Sequence, residues 1–261
     1  MQRHVIAIAG VELELFEFGE GRPIVFLHGA SGFVPEHPFV APLSARHRLI
    51  APSHPGFGAS SLPDWIDAVA DIAHIHLELL DRLGLDQVDV IGCSIGGWIA
   101  AELASMAPKT VRRLVLVGPV GVKTGPVDRL DIPDIFALPQ STLERLLFHD
   151  PERMRTDPSR LTDEQLGIAA RNRETLALLS WEPYMHNPKL PHRLHRVTAP
   201  TLFLRGESDG LVSAEYLAAY SRMLPNARTD TIAEAGHAPH LEQPEAFAAM
   251  VLAFLDAGAV S

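Results

Sequence analysis

The stretch Val88-Asp89-Val90-Ile91-Gly92-Cys93-Ser94-Ile95-Gly96-Gly97-Trp98 decides how this chain is read. Its first half is a short apolar run of the kind that suits a strand buried on both faces. Its second half opens an Ala-rich segment, residues 95–106, that ends before Pro108 and reads as a helix. The join is Gly92-x-Ser94-x-Gly96. A serine at so tight a strand-to-helix turn takes strained backbone angles, and neighbours lacking a Cβ relieve the crowding. The turn pushes the hydroxyl clear of the backbone, and the helix that starts there presents free N–H groups to anything negative nearby. Gly-x-Ser-x-Gly alone is common by chance; in this context it carries weight.

The surrounding sequence repeats the same alternation. Residues 23–27, 114–117 and 201–204 are further apolar runs, and 47–51 makes another. Helix-like segments fall at 64–83, 213–224 and 244–255, the second with Ser213 as an N-cap candidate. Residues 4–8 and 11–16 alternate around Gly10, which predicts a hairpin of half-exposed strands. Strands alternating with helices predict crossover units and a mainly parallel sheet. Residues 123–195 break the pattern, with helix-like content, many Pro and Arg, and no buried-strand run. Its apolar groups, Leu143-Leu146-Leu147, Leu166-Ile168-Ala169 and Leu176-Leu178-Leu179, are expected to face a common partner. The expected organisation is therefore a core from 1–122 and 196–261, with 123–195 as a helical cap over the sheet's C-terminal edge.

Serine at its ordinary pKa is a poor nucleophile and needs a base, usually a histidine held by a carboxylate. With 13 histidines in the chain, position decides between them. His237 lies after a strand-like run (227–232) and before the last helix, and Asp209 directly follows the run 201–204. The gap of 28 positions from Asp209 to His237 is about enough for one helix and one strand. Both side chains are expected at C-terminal strand ends, on the edge that carries Ser94, where open parallel sheets place their sites. Asp128 and Asp131, after the preceding strand, are less favoured candidates for the acid. Developing negative charge on an acyl intermediate calls for N–H donors. The backbone N–H groups of Ile95, after the serine, and Ala30, in the Gly-rich loop His28-Gly29-Ala30-Ser31-Gly32, are the candidates.

HGASG (28–32), SHPGFGAS (53–60), GCSIGG (92–97), GESD (206–209) and GHAPHLEQPE (236–245) together resemble the α/β-hydrolase superfamily, in its order and over essentially the whole chain. The chain is most similar to the small capped bacterial esterases, enol-lactonases and carbon–carbon bond hydrolases of that superfamily. The resemblance implies a mostly parallel, eight-stranded α/β sheet with helices on both faces and a helical cap insertion. It implies Ser94 as nucleophile, His237 as base, Asp209 as its orienter, and the N–H groups of Ala30 and Ile95 as oxyanion hole. His54 departs from the pattern, standing where an Asp is common, and His28 occupies a position that is usually structural. The implied activity is cofactor-free hydrolysis of a small, partly apolar ester or lactone through an acyl-enzyme. Alternatives are carbon–carbon cleavage of a vinylogous diketone, a slow ligand sensor of the same fold, and a lyase or cofactor-free oxygenase. The diketone reading calls for a cation to receive a substrate carboxylate, for which Arg171 and Arg173 are the possibilities.

Ser31, Phe136, Phe148, Trp181, Tyr184 and Met185 are candidates for the substrate pocket. His54 and His240 are expected to line or support the pocket rim, and Trp98 is expected to pack the helix after Ser94. His74 and His76, two apart on a helix, face different ways, and His186, His192 and His195 lack the pattern of a zinc site; no metal is expected. Cys93 is a lone cysteine, expected to be a small buried hydrophobe. With 22 Lys and Arg against 32 Asp and Glu, the net charge of −10 repels phosphate backbones, so nucleic acid is not expected as a partner. The uncharged stretch 90–101 is 12 residues long, against roughly 20 for a bilayer span, so no membrane partner is expected either. The N-terminal apolar run is too short for a secretory signal. A cytoplasmic address with a small-molecule substrate is the expectation, and composition leaves oligomeric state open.

Overall fold

A computed structural model describes residues 1–257. Its frame is an eight-stranded sheet in the order β1-β2-β4-β3-β5-β6-β7-β8. The strands are β1 (Gln2–Ile8), β2 (Val11–Phe18), β3 (Arg22–Leu27), β4 (His47–Pro52), β5 (Val88–Cys93), β6 (Val111–Val117), β7 (Thr201–Gly206) and β8 (Ala227–Ile232). β1 and β2 form the expected antiparallel hairpin, and β2 pairs antiparallel with β4. From β4 through β8 every pairing is parallel. The central strands are mostly apolar because helices cover both faces; β5 is buried at all six positions, Asp89 among them.

The helices α1 (Val40–Ser44), α2 (Val69–Arg82), α3 (Ile95–Met106), α4 (Gln140–Leu147), α5 (Pro151–Met154), α6 (Asp163–Ser180), α7 (Ala214–Ser221), α8 (Pro239–Glu242) and α9 (Pro244–Asp256) complete the frame. α2 begins five residues later than the periodicity predicts. The Asp71 carboxylate accepts the N–H groups of Asp67 and Ala68, closing the helix start at Val69. α7 is capped by Ser213 as expected, its Oγ accepting from the N–H of Tyr216, but its end tightens into i→i+3 turns at Met223 and Leu224. α4, α5 and α6 lie in the insertion between β6 and β7. There the expected common apolar face is only half realised: Leu166 and Leu178 are exposed, and burial on α6 begins at Asn172. The first half of α6 therefore runs clear of the body, and its second half docks.

Parallel register sets the site. Leu27 pairs with Gly92, Cys93 with Val117, Val117 with Leu204, and Gly206 with Ile232. The loops that leave β3, β5, β6, β7 and β8 consequently emerge on one edge, and each candidate residue lies on one of them.

Candidate active site

Ser94 has φ 54° and ψ −117°, the left-handed strain expected of the turn between β5 and α3. The chain is held there by closeness as much as by torsion. A Cβ on Gly96 would stand 2.1 Å from the carbonyl oxygen of Leu27 and 2.4 Å from that of His28, so only glycine lets α3 start against β3. The Ser94 N–H donates to the carbonyl of Val117, and Ser94 is itself half-buried.

Asp209 and His237 are brought together: His237 Nδ1–H donates to Asp209 Oδ2 at 2.9 Å. Asp209 is buried, and its other oxygen, Oδ1, accepts the N–H groups of Leu211 and Val212. That carboxylate is thus oriented from three directions. With Nδ1 protonated, His237 Nε2 is the lone-pair nitrogen, and it is buried with no partner among the described residues. Gly118, the first residue past β6, stands between this pair and the serine turn. A Cβ there would lie 3.0 Å from the His237 ring and 3.2 Å from Asp209 Oδ2. Asp131 goes elsewhere, accepting from Lys123 Nζ and the N–H groups of Thr124 and Gly125, and Asp128 is exposed.

Ile95 N–H opens α3 and has no carbonyl four residues back to receive it. Ala30 N–H meets no backbone acceptor among the described residues. The peptide that carries it is gripped from behind, because Gly29 O accepts from His28 Nδ1–H at 2.7 Å and from Gly32 N–H at 3.1 Å. The tautomers follow from the chain of contacts. His28 Nε2 accepts the N–H of His54, so its proton is on Nδ1. His54 Nε2–H donates to the carbonyl of His28, so its Nδ1 accepts from His76 Nε2–H at 2.8 Å. Burial pushes His28 down to about 4 and His76 down to about 3, and holds His54 well below the ordinary value. Three neutral rings therefore brace the loop that carries Ala30. His54, expected to line or support the pocket rim, is a fully buried brace, and His76, expected only to face a different way from His74, is the ring that donates to it.

The insertion reaches this edge at two places. Asn172, buried on α6, donates from Nδ2 to the carbonyl of Ser31 and accepts at Oδ1 from Gly58 N–H, while Thr175 Oγ1 donates to the carbonyl of Gly56. At the other place, Phe148 follows Leu147, whose carbonyl accepts from His237 N–H. Phe136 stacks with Trp181, and Trp181 is 55% exposed on the outside of the insertion. Tyr184 spends its hydroxyl on Pro133 and Ile135, and with buried Met185 it lines a cavity of about 200 Å³ whose walls do not include Ser94, Asp209 or His237. Thus Ser31 and Phe148 are brought to the loops of the candidate site, whereas Phe136, Trp181, Tyr184 and Met185 pack within the insertion. Arg171 donates to the carbonyl of Gly58, and Arg173 lies over the Phe136 ring. Trp98 packs as expected, its Nε1–H donating to Glu102, and burial pushes the Cys93 thiol up. No cluster of three or more metal-binding side chains occurs among the described residues, and no described helix is long and apolar enough to cross a membrane.

A sheet of this order with a strained serine at the β5–α3 turn defines an α/β hydrolase. The alpha/beta hydrolase family model matches residues 24–250, and the chain belongs to that family. It is 30% identical over 264 residues to a 2-hydroxymuconate semialdehyde hydrolase of Pseudomonas putida, covering 97% of this chain and 93% of that protein. A 2-hydroxy-6-oxo-2,4-heptadienoate hydrolase of Pseudomonas putida is 28% identical over 273 residues, 97% and 96% of the two chains. Among solved structures, a serine hydrolase from the polyaromatic-hydrocarbon-degrading bacterium Cycloclasticus zankles superposes with a TM-score of 0.80 at 18% identity, covering 100% and 99% of the chains.

Proposed function

We propose that the protein is a serine hydrolase that cleaves a small, partly apolar carboxylic ester or lactone. The observation that carries this reading is the buried, unpartnered Nε2 of His237, left as a lone pair by the Asp209 contact at Nδ1. Ser94 Oγ attacks the substrate carbonyl carbon, and its proton passes to His237 Nε2. The imidazolium that forms is stabilised by Asp209. The carbonyl oxygen takes the negative charge and is received by the N–H groups of Ala30 and Ile95, a contribution worth about 3–4 kcal/mol per donor in such sites. Collapse expels the alcohol, which takes the proton from His237, and water repeats the sequence in reverse to release the acid. Residues 123–195 act as a cap over this edge, held to it through Asn172 at Ser31 and through Leu147 at the His237 loop.

A second reading, hydrolysis of a carbon–carbon bond in a vinylogous diketone, is favoured by the curated relatives. Its substrates carry a carboxylate, and the two cap arginines that could receive it are turned to Gly58 and Phe136. This is why the ester or lactone is preferred. The test is a side-by-side measurement of kcat/KM on short-chain aryl esters, aliphatic lactones and a 2-hydroxy-6-oxo-dienoate. An ester or lactone ahead by about tenfold or more supports the first reading, and the dienoate ahead by that margin replaces it with the second.

A further inference from the structure

Glu242 is a buried carboxylate that forms no ion pair among the described residues, and the chemistry above does not use it. Its oxygens are divided between two parts of the molecule. Oε2 accepts the N–H of Gly236, the residue before His237, at 2.5 Å. Oε1 accepts the N–H groups of His149 (2.8 Å) and Asp150 (3.2 Å), at the joint between α4 and α5 in the insertion. A buried carboxylate satisfied only by backbone N–H groups costs too much desolvation to be incidental, and it ties its donors together.

The same joint is fastened to both loops of the Asp–His pair. Leu147 O accepts from His237 N–H at 2.6 Å, Leu146 O accepts from Gly210 N–H at 2.9 Å, and His149 Nδ1 and Ser208 Oγ are hydrogen-bonded at 2.8 Å. The fit is close enough to exclude a methyl group at Gly236 and to crowd one at Gly210. A Cβ on Gly236 would stand 2.3 Å from Leu147 O and 2.8 Å from the Phe148 Cα, and one on Gly210 would stand 3.1 Å from the Leu146 Cα. Neither glycine has a left-handed φ, so at Gly236 it is this approach of the insertion's backbone that excludes a side chain. The two loops are also strapped to each other, Ser208 N–H donating to Ala235 O and Glu207 N–H to Ile232 O.

We infer that Glu242 is a positioning residue that locks the α4–α5 joint of the insertion to the His237 loop, so that the base is in register with Ser94 only while this joint is seated. The inference rests on the hydrolase reading for its kinetic consequence, but the lock itself is a property of the fold. Any opening of the insertion must then hinge elsewhere, on the α6 side, or take the base out of place.

The test uses full-length protein with a fluorophosphonate, following inactivation by intact mass to separate the maximal rate from the half-saturating concentration. Glu242→Gln keeps the volume but offers one acceptor oxygen where the carboxylate offers two, so the side chain can no longer hold both segments at once and the link between them is lost. Gly236→Ala pushes the joint away from the loop without touching Ser94, Asp209 or the His237 ring. Both variants are expected to lower the maximal inactivation rate by about 10–100-fold with half-saturation little changed, the cost of a base misplaced by a fraction of an ångström to an ångström. Hydrogen exchange is read in parallel, and Glu242→Gln should speed exchange in segments 146–150 and 234–238 together. A role in stability alone would lower the unfolding midpoint and leave the rate per folded molecule unchanged. A Glu242→Gln rate within about twofold of native, with exchange faster in one segment only, overturns the inference. If native protein itself does not react, the hydrolase reading fails, and joint or separate exchange of the two segments still decides the lock.

Discussion

The Nδ1 of His237 donates to Asp209 Oδ2 at 2.9 Å, and this contact determines what the rest of the ring can do. It selects one tautomer, directs the free lone pair to Nε2, and places a negative charge where an imidazolium would form.

Asp209→Asn keeps the shape of that contact but presents an amide that can favour the wrong tautomer. Turnover on the best ester or lactone should fall by about 10⁴-fold, with the unfolding midpoint little changed. Steady-state kinetics at saturating substrate check this, and a loss of less than about tenfold would remove Asp209 from the proposed role.

Gly96→Ala should damage the fold before it damages chemistry. The added methyl meets the carbonyls of Leu27 and His28, both backbone and both in the core of the sheet edge, so relaxation has to move β3 or α3. Urea unfolding should show a loss of about 1–3 kcal/mol or more. Unchanged stability would mean that β3 and α3 are not held this closely.

Stability should fall with acid in a window set by the histidine brace. Below about pH 6.5 an unfolded chain protonates His28, His54 and His76, while the folded chain keeps His28 neutral to about 4 and His76 to about 3 and holds His54 well below its ordinary value. Folded-state values are depressed, so the contribution is intact above pH 6.5 and is lost as pH falls. Each ring steepens the dependence by about 1.4 kcal/mol per pH unit. His76→Gln can still donate to His54 Nδ1 but does not titrate, so urea midpoints from pH 6 to 4.5 should decline less steeply by about that amount. An unaltered slope would show that His76 is protonated in the folded state.

Asn172→Ala should loosen the α6 end of the insertion. It removes the bridge between Ser31 and Gly58 and leaves the half-buried N–H of Gly58 unsatisfied, at a cost of about 1 kcal/mol. Limited proteolysis should cut within residues 155–180 about tenfold faster or more. Native-like resistance would place the docking of α6 on its apolar contacts instead.

Much of this arrangement was legible from residues that obey short-range rules. The Gly92-x-Ser94-x-Gly96 turn, the buried runs flanking it and the positions of Asp209 and His237 all follow from local pattern and strand order. The brace and the lock do not. His76 meets His54 across 22 residues, and Glu242 meets His149 across 93, and no local period records either partner. The insertion was misread where apolar spacing was taken as burial. Leu166 keeps helical spacing yet faces outward, because the first half of α6 runs clear of the body, and Trp181, just past the end of that helix, is exposed as well. Asn172, a polar residue on the buried face, was the better sign of where that helix docks.

The central claim is that Ser94 is an activated nucleophile served by His237. Intact-mass analysis after fluorophosphonate treatment, with peptide mapping of the adduct, tests it most directly. The account predicts one adduct on native protein, mapped to Ser94 and absent from Ser94→Ala and His237→Ala. An unmodified native protein, under conditions that label a control serine hydrolase to completion, would contradict it.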